Sequence, residues 1–184
     1  MNLANKISIA RIILIPFFIA AITYSKLDIA LIFFLLAIVS DGVDGLIARS
    51  MKQKTRLGTM LDPLADKFLL ISAYICLSIA TTVPAYLKLP PYVPIIVISR
   101  DAIIVLGSVV VLIITGDIKA APRWPGKLTT FFQMMTIVSI LLKFTHSHIL
   151  WNVATVLTVI SGVDYVIKGS RLLSENHNPS RRIV

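Results

Sequence analysis

Residues 40–68 read SDGVDGLIARSMKQKTRLGTMLDPLADKF and carry four aspartates, Asp41, Asp44, Asp62 and Asp66, in a chain that is otherwise apolar and basic. Asp41, Asp44, Gly45 and Ala48 fall at i, i+3, i+4 and i+7, one face of a helix. Gly58, Asp62 and Asp66 fall at i, i+4 and i+8, one face of a second. Two such helix ends, facing each other, would present four carboxylates and three small residues to a common space. Carboxylates this close raise one another's pKa, and in a membrane each buried charge costs about 2.5 to 3.5 kcal/mol on insertion scales. A cation has to offset that cost. Arg49 and Arg56 offer one answer, a structural ion-pair network. Hard divalent cations offer the other. They take oxygen ligands, Mg²⁺ is the usual choice where phosphates share the site, and carboxylates from both helices could bridge a pair of ions about 3.5 to 4 Å apart. Gly45, Ala48 and Gly58 leave room for a flat ligand or for close helix approach.

The elements that must position these residues are long and apolar. The 184 residues are 57% hydrophobic and 15% charged, with mean hydropathy +0.87, where a soluble domain carries about 25% charged residues. The chain therefore reads as an all-α integral membrane bundle of six transmembrane helices, over Ile7–Tyr24, Ile29–Ala48, Thr59–Thr81, Val93–Thr115, Leu128–Leu142 and Ile149–Ile167. Each approaches the roughly 20 residues needed to cross the hydrocarbon. Pro16 is expected to kink the first helix or reshape its neighbours. The first apolar run lacks a small-residue cleavage site and is followed by more runs, so it reads as a retained span. The whole chain, residues 1–184, reads as one domain, with a basic polar tail over 170–184 that is expected to lie at the interface and fray. Trp124 and Trp151, near span ends, suit an aromatic belt. The single Cys76 excludes an internal disulfide, and His146, His148 and His177 lack zinc-ligand spacing.

Charge orients the bundle. Most Lys and Arg fall at the N-terminus (Lys6, Arg11), the second loop (Arg49, Lys52, Lys54, Arg56), the fourth loop (Lys119, Arg123, Lys127) and the tail, against Lys26, Lys88 and Lys143 on the other side. The positive-inside rule then puts both termini in the cytoplasm. The net charge of +9 gathers on that face, where it attracts anionic lipid headgroups and phosphorylated substrates. No nucleic-acid-binding motif is present, so nucleic acid is not an expected partner.

The run Asp41-x2-Asp44-Gly45-x2-Ala48-Arg49-x8-Gly58-x3-Asp62-x3-Asp66 resembles the complete signature of the CDP-alcohol phosphotransferases (phosphatidyltransferases). NKISIAR near the N-terminus and GKLTTFFQM, Gly126 to Met134, are similar to the phosphatidylglycerophosphate synthases among them. This resemblance implies that Asp41, Asp44, Asp62 and Asp66 hold two Mg²⁺ ions, with Mn²⁺ as a substitute, and that Asp66 is also the general base. It further implies that Gly45, Ala48 and Gly58 admit the cytidine nucleotide of CDP-diacylglycerol while Arg49 contacts phosphate. The implied enzyme is a homodimer in the bacterial inner membrane with its active site facing the cytoplasm.

The acceptor implied is glycerol 3-phosphate, a small dianion for which Arg100, Arg123 and Lys127 are the candidate ligands. Arg100 and Asp101 form an ionisable pair inside the fourth apolar run, VPIIVISRDAIIVLG, which either binds substrate or satisfies itself or Asp164. Many phosphatidylglycerophosphate synthases carry an Arg-Glu pair and a second arginine here. This chain has Asp101 and no second arginine, which raises a cardiolipin synthase using phosphatidylglycerol as the alternative. A divalent-cation transporter is the alternative of another class, although its acids would be expected near the midplane and not beside a basic loop.

Overall fold

A computed structural model describes the backbone of residues 3–51, 56–115 and 124–177, and the side chains of 9–40, 67–110, 113 and 126–170. Among the described residues there are six helices and no strand: α1 (Leu3–Thr23), α2 (Leu27–Met51), α3 (Arg56–Ile79), α4 (Tyr92–Thr115), α5 (Trp124–Leu141) and α6 (Ser147–His177). Each predicted span lies on its own helix. The boundaries differ most in α6, which continues past Ile167 through the polar segment to His177. The segment Lys168–His177 holds no proline, and its Lys, Arg, Leu and Glu residues are good helix formers, so the helix propagates into the tail. Pro16 lies inside an uninterrupted α1.

The inner faces follow from helical periodicity. Arg11, Ile15, Phe18 and Ile22 line the buried side of α1, and Ala30, Phe34 and Ala37 line that of α2. The alanines let the two helices approach, and the Phe18 and Phe34 rings meet at 5.8 Å. Leu70, Ala73, Tyr74 and Leu77 make the equivalent stripe on α3, which also packs on α1. The α5 and α6 interface is different. Its buried residues include Thr129, Gln133, Thr136, Thr155, Thr158 and Ser161, while Ile32, Leu36, Ile95, Leu106, Ile113, Val156 and Ile160 stand exposed on the outside. A bundle with a polar seam within and an apolar exterior inverts the soluble pattern and suits lipid. Among the described residues, Tyr92–Val110 and Ser147–Ser170 are long and apolar enough to cross a membrane, and the apolar stretches of the other four helices are shorter.

Two tight turns reverse the chain in the same way. Lys26 donates its backbone N–H to the Ala21 carbonyl at 2.8 Å and Ser25 to Ile22 at 3.0 Å, with Ser25 at φ 60°. Phe144 donates to Ser139 and Lys143 to Ile140, both at 2.9 Å, with Lys143 at φ 59°. Both are Schellman closures that use a left-handed residue other than glycine. Lys143 Nζ reaches Asp28 at 3.1 and 3.2 Å, and Thr82 Oγ1 donates to the Ile22 carbonyl at 2.8 Å. The α1–α2, α3–α4 and α5–α6 connections thus share one end of the bundle, carrying Lys26, Lys88 and Lys143 together. The α3–α4 connection is a packed cap with Val83, Leu87 and Leu89 buried. The aspartates lie toward the other end, on the last turns of α2 and the first turns of α3.

Helix α4 is fixed to α6 by Tyr165, whose hydroxyl donates to the Ile104 carbonyl at 3.0 Å and lies 2.8 Å from Ser108 Oγ. Gly107 makes room for that ring: a Cβ there would stand 2.8 Å from Tyr165 Cε1, whereas a Cβ on Gly169 would meet nothing within 4 Å. Gly→Ala gains about 1 kcal/mol of helix propensity at an open site. Gly169→Ala is therefore expected to raise the melting temperature in detergent and Gly107→Ala to lower it, because Tyr165 must leave its hydrogen bonds; thermal unfolding of the two variants checks this.

Candidate active site

Because α2 and α3 are continuous helices, the register that places Asp41, Asp44, Gly45 and Ala48 on one face of α2, and Gly58, Asp62 and Asp66 on one face of α3, holds in the backbone. The side chains of these residues and of Arg49 lie outside the described ones, as does Arg123. Among the described residues no three Asp, Glu, His or Cys side chains gather at metal-ligand distances, which leaves the four aspartates as the candidate donor set. Their chemistry is all oxygen and anionic, which suits a hard divalent cation and not zinc or copper.

The described geometry begins one residue after Asp66. Lys67 Nζ donates to Asp101 Oδ2 at 2.6 Å, joining α3 to α4. Arg100 Nη1 donates to Asp101 Oδ1 at 2.7 Å, and Arg100 Nη2 donates to Ser161 Oγ on α6, also at 2.7 Å. Each carboxylate oxygen thus holds a different cation. The Arg100 and Asp101 side chains are 8% and 6% exposed, and that of Lys67 is 32% exposed. Arg100 passes between two glycines. A Cβ on Gly126 of α5 would stand 3.3 Å from Nη2, and one on Gly162 of α6 would stand 3.4 Å from Cγ. Glycine at both positions lets a guanidinium enter a seam where three helices converge.

These contacts bear on both readings of the Arg100 and Asp101 pair. Arg100 and Asp101 bind each other, as one reading expects, yet the pair is also engaged by Lys67 and Ser161. Asp164 is not its partner here and instead pairs with Lys168 one turn on. Among the described side chains the cluster holds two cations and one anion. The Arg100 Nε is buried and has no hydrogen-bond partner among the described residues. Lys127, exposed, follows Gly126 and so stands at the level of the Arg100 fork. The structure therefore brings Arg100 and Lys127 to one level of the bundle and adds Lys67, which sequence reasoning passed over.

Two other residues differ from expectation. Arg11, counted as a topology charge, is 1% exposed within the bundle, because its place at i−4 and i−7 from Ile15 and Phe18 puts it on the inner stripe of α1. Trp151, assigned to an interfacial belt, is buried near the start of α6. Its ring meets that of His148 at 6.3 Å in a row with His146 and Phe144.

A family model described as CDP-alcohol phosphatidyltransferase matches residues 1–162, a span that contains all four aspartates and the whole Lys67–Asp101–Arg100–Ser161 cluster. The chain belongs to the CDP-alcohol phosphatidyltransferase family. Curated relatives of this phosphatidyltransferase match over nearly their full length. A Bacillus subtilis protein named CDP-diacylglycerol--glycerol-3-phosphate 3-phosphatidyltransferase is 33% identical, covering 96% of this chain and 99% of its own. A Haemophilus influenzae protein of the same name is 35% identical over 93% and 96%. A Mycobacterium tuberculosis protein named "Probable phosphatidylglycerophosphate synthase" is 34% identical over 92% and 82%.

Proposed function

We propose that this phosphatidyltransferase moves the phosphatidyl group of CDP-diacylglycerol onto glycerol 3-phosphate, giving phosphatidylglycerophosphate and CMP. The observation that carries this reading is the near end-to-end similarity to relatives named for that reaction. The second cation that Asp101 gathers beside Lys67 supports a dianionic acceptor over an uncharged one.

In this reading all six helices cross a bacterial inner membrane as a homodimer, with both termini and the aspartate end in the cytoplasm. The three turns carrying few cations lie on the opposite side, which agrees with the positive-inside rule. The donor's acyl tails stay in lipid while its cytidine enters past Gly45, Ala48 and Gly58, and Arg49 contacts phosphate. Enzymes of this family work with a divalent cation, and here Asp41, Asp44, Asp62 and Asp66 would hold two Mg²⁺, or Mn²⁺ in their place. When bound, the ions supply charge neutralisation for the pyrophosphate. Arg100, Arg123 and Lys127 hold the acceptor phosphate and so aim its primary hydroxyl at the donor. Asp66 takes the hydroxyl proton as that oxygen bonds to the lipid-side phosphorus, and the bond from that phosphorus to the bridging oxygen breaks, its electron pair leaving with CMP.

Purified enzyme given CDP-diacylglycerol should release CMP on addition of glycerol 3-phosphate and not of phosphatidylglycerol, serine or inositol phosphate. Turnover with phosphatidylglycerol alone would replace this reading with cardiolipin synthesis. Within the reading, Lys127→Ala is expected to raise the glycerol 3-phosphate KM about ten- to a hundredfold, the effect of losing one charge-assisted contact of about 1.5 to 3 kcal/mol. The KM for CDP-diacylglycerol should change far less, and initial rates across both substrates separate the two.

A further inference from the structure

We infer that Asp101 is a positioning residue of the transfer reaction and that Lys67, which it holds, is a further determinant of acceptor binding. The inference rests on the glycerol 3-phosphate reading. Lys67 directly follows the proposed base, so whatever fixes Lys67 also fixes the rotation of α3 within one residue of Asp66. That contact is the 2.6 Å bond to Asp101, a carboxylate 6% exposed on the neighbouring helix. A lysine side chain has many rotamers, and holding it in one costs entropy that a buried, oppositely charged partner offsets. Asp101 uses its second oxygen for Arg100, so one carboxylate sets the separation of two cations. Ser161, bonded to the other arm of Arg100, fixes the orientation of the fork against α6.

The charge count says what the cluster is for. For pinning α3 to α4 alone, one lysine and one aspartate would suffice, and the buried arginine adds a desolvation cost that its bond to Ser161 has to offset. Counted by itself, the Lys67, Asp101 and Arg100 cluster has one cation more than its carboxylate neutralises, and in a seam of low dielectric such a cation attracts an anion more strongly than at the surface. Lys67 is the outermost member, a third exposed, with ammonium protons beyond the one Asp101 accepts. It can therefore donate to an arriving phosphate without leaving its partner.

Kinetics of Asp101→Asn, Asp101→Glu and Lys67→Met test this, each read for kcat and for both KM values. Asparagine keeps the shape but offers one acceptor where two are needed and turns its amide N–H toward the other cation. Positional loss competes here with a gain in positive charge, and the inference requires that position wins. The glycerol 3-phosphate KM of Asp101→Asn should rise about tenfold or more, with the CDP-diacylglycerol KM within about threefold of wild type. Asp101→Glu should recover a large part of the loss. Lys67→Met keeps side-chain length, tolerates exposure and should show the same split, so it carries the test if Asp101→Asn fails to fold. An unchanged or lowered glycerol 3-phosphate KM in Lys67→Met would overturn the inference. An equal rise in both KM values in these variants would overturn it too, by making the cluster a helix clamp. Wild-type enzyme that ignores glycerol 3-phosphate would instead overturn the reading beneath it.

Discussion

Asp62→Asn is expected to abolish turnover while leaving the helical content and the detergent melting temperature close to wild type. Asparagine preserves the volume and one oxygen of aspartate, so α3 keeps its helix over Arg56–Ile79. What it removes is a charge from a set whose proposed purpose is to hold divalent cations against a doubly charged pyrophosphate. Hard cations bind carboxylate far better than amide, and the pyrophosphate then loses its neutralising partner in the transition state. The result expected is less than about a hundredth of wild-type CMP release, at least 2.7 kcal/mol of barrier by the relation between rate and free energy. Raising Mg²⁺ should recover part of the activity, since the defect is one of affinity. If the aspartates were only partners for Arg49 and Arg56, Asn would lower stability and leave a folded fraction with normal turnover. More than about a tenth of wild-type activity in the folded variant removes the metal assignment.

The register of the aspartates was legible because helical spacing alone sorts them onto two faces, and α2 and α3 are unbroken there. The six helices were legible for the related reason that each apolar run is long, and their order along the chain alternates the two ends of the bundle. The packed α3–α4 connection was not. Val83, Leu87 and Leu89 sit among prolines and a lysine, a composition that reads as a loop, and only the tertiary fold shows that they close the end of the core. The burial of Arg11 was not legible, because a cation near a terminus serves topology as readily as packing and nothing local separates the two. Lys67 was missed for a different reason. Its partner lies 34 positions away on another helix, and a lysine at the edge of an apolar run is an ordinary interfacial residue until that partner is known. The signal that could have found it was charge balance, since Arg100 and Asp101 within a span invite a count of what else must sit beside them.

Replacing Arg100 is expected to have the second large effect, and on binding more than on folding. In Arg100→Met, Asp101 keeps Lys67, so the buried carboxylate stays paired and the remaining couple is neutral. The loss of stability is then limited to the packing of the guanidinium stem between Gly126 and Gly162 and the bond to Ser161, about 1 to 3 kcal/mol. The second cation of the cluster, however, is gone. A guanidinium that donates from a fork in a low-dielectric seam contributes about 3 kcal/mol to an anion it faces, so the glycerol 3-phosphate KM should rise a hundredfold or more while CDP-diacylglycerol is still bound. Arg100→Lys distinguishes geometry from charge. One ammonium cannot span Asp101 Oδ1 and Ser161 Oγ as the two arms of the guanidinium do, so lysine restores the charge but not the fork. Its KM should fall between those of wild type and Arg100→Met. A pattern in which Arg100→Lys equals wild type would show that charge alone suffices at this position, and one in which Arg100→Met unfolds without a change in KM for the remaining folded protein would make the arginine a packing element of the seam.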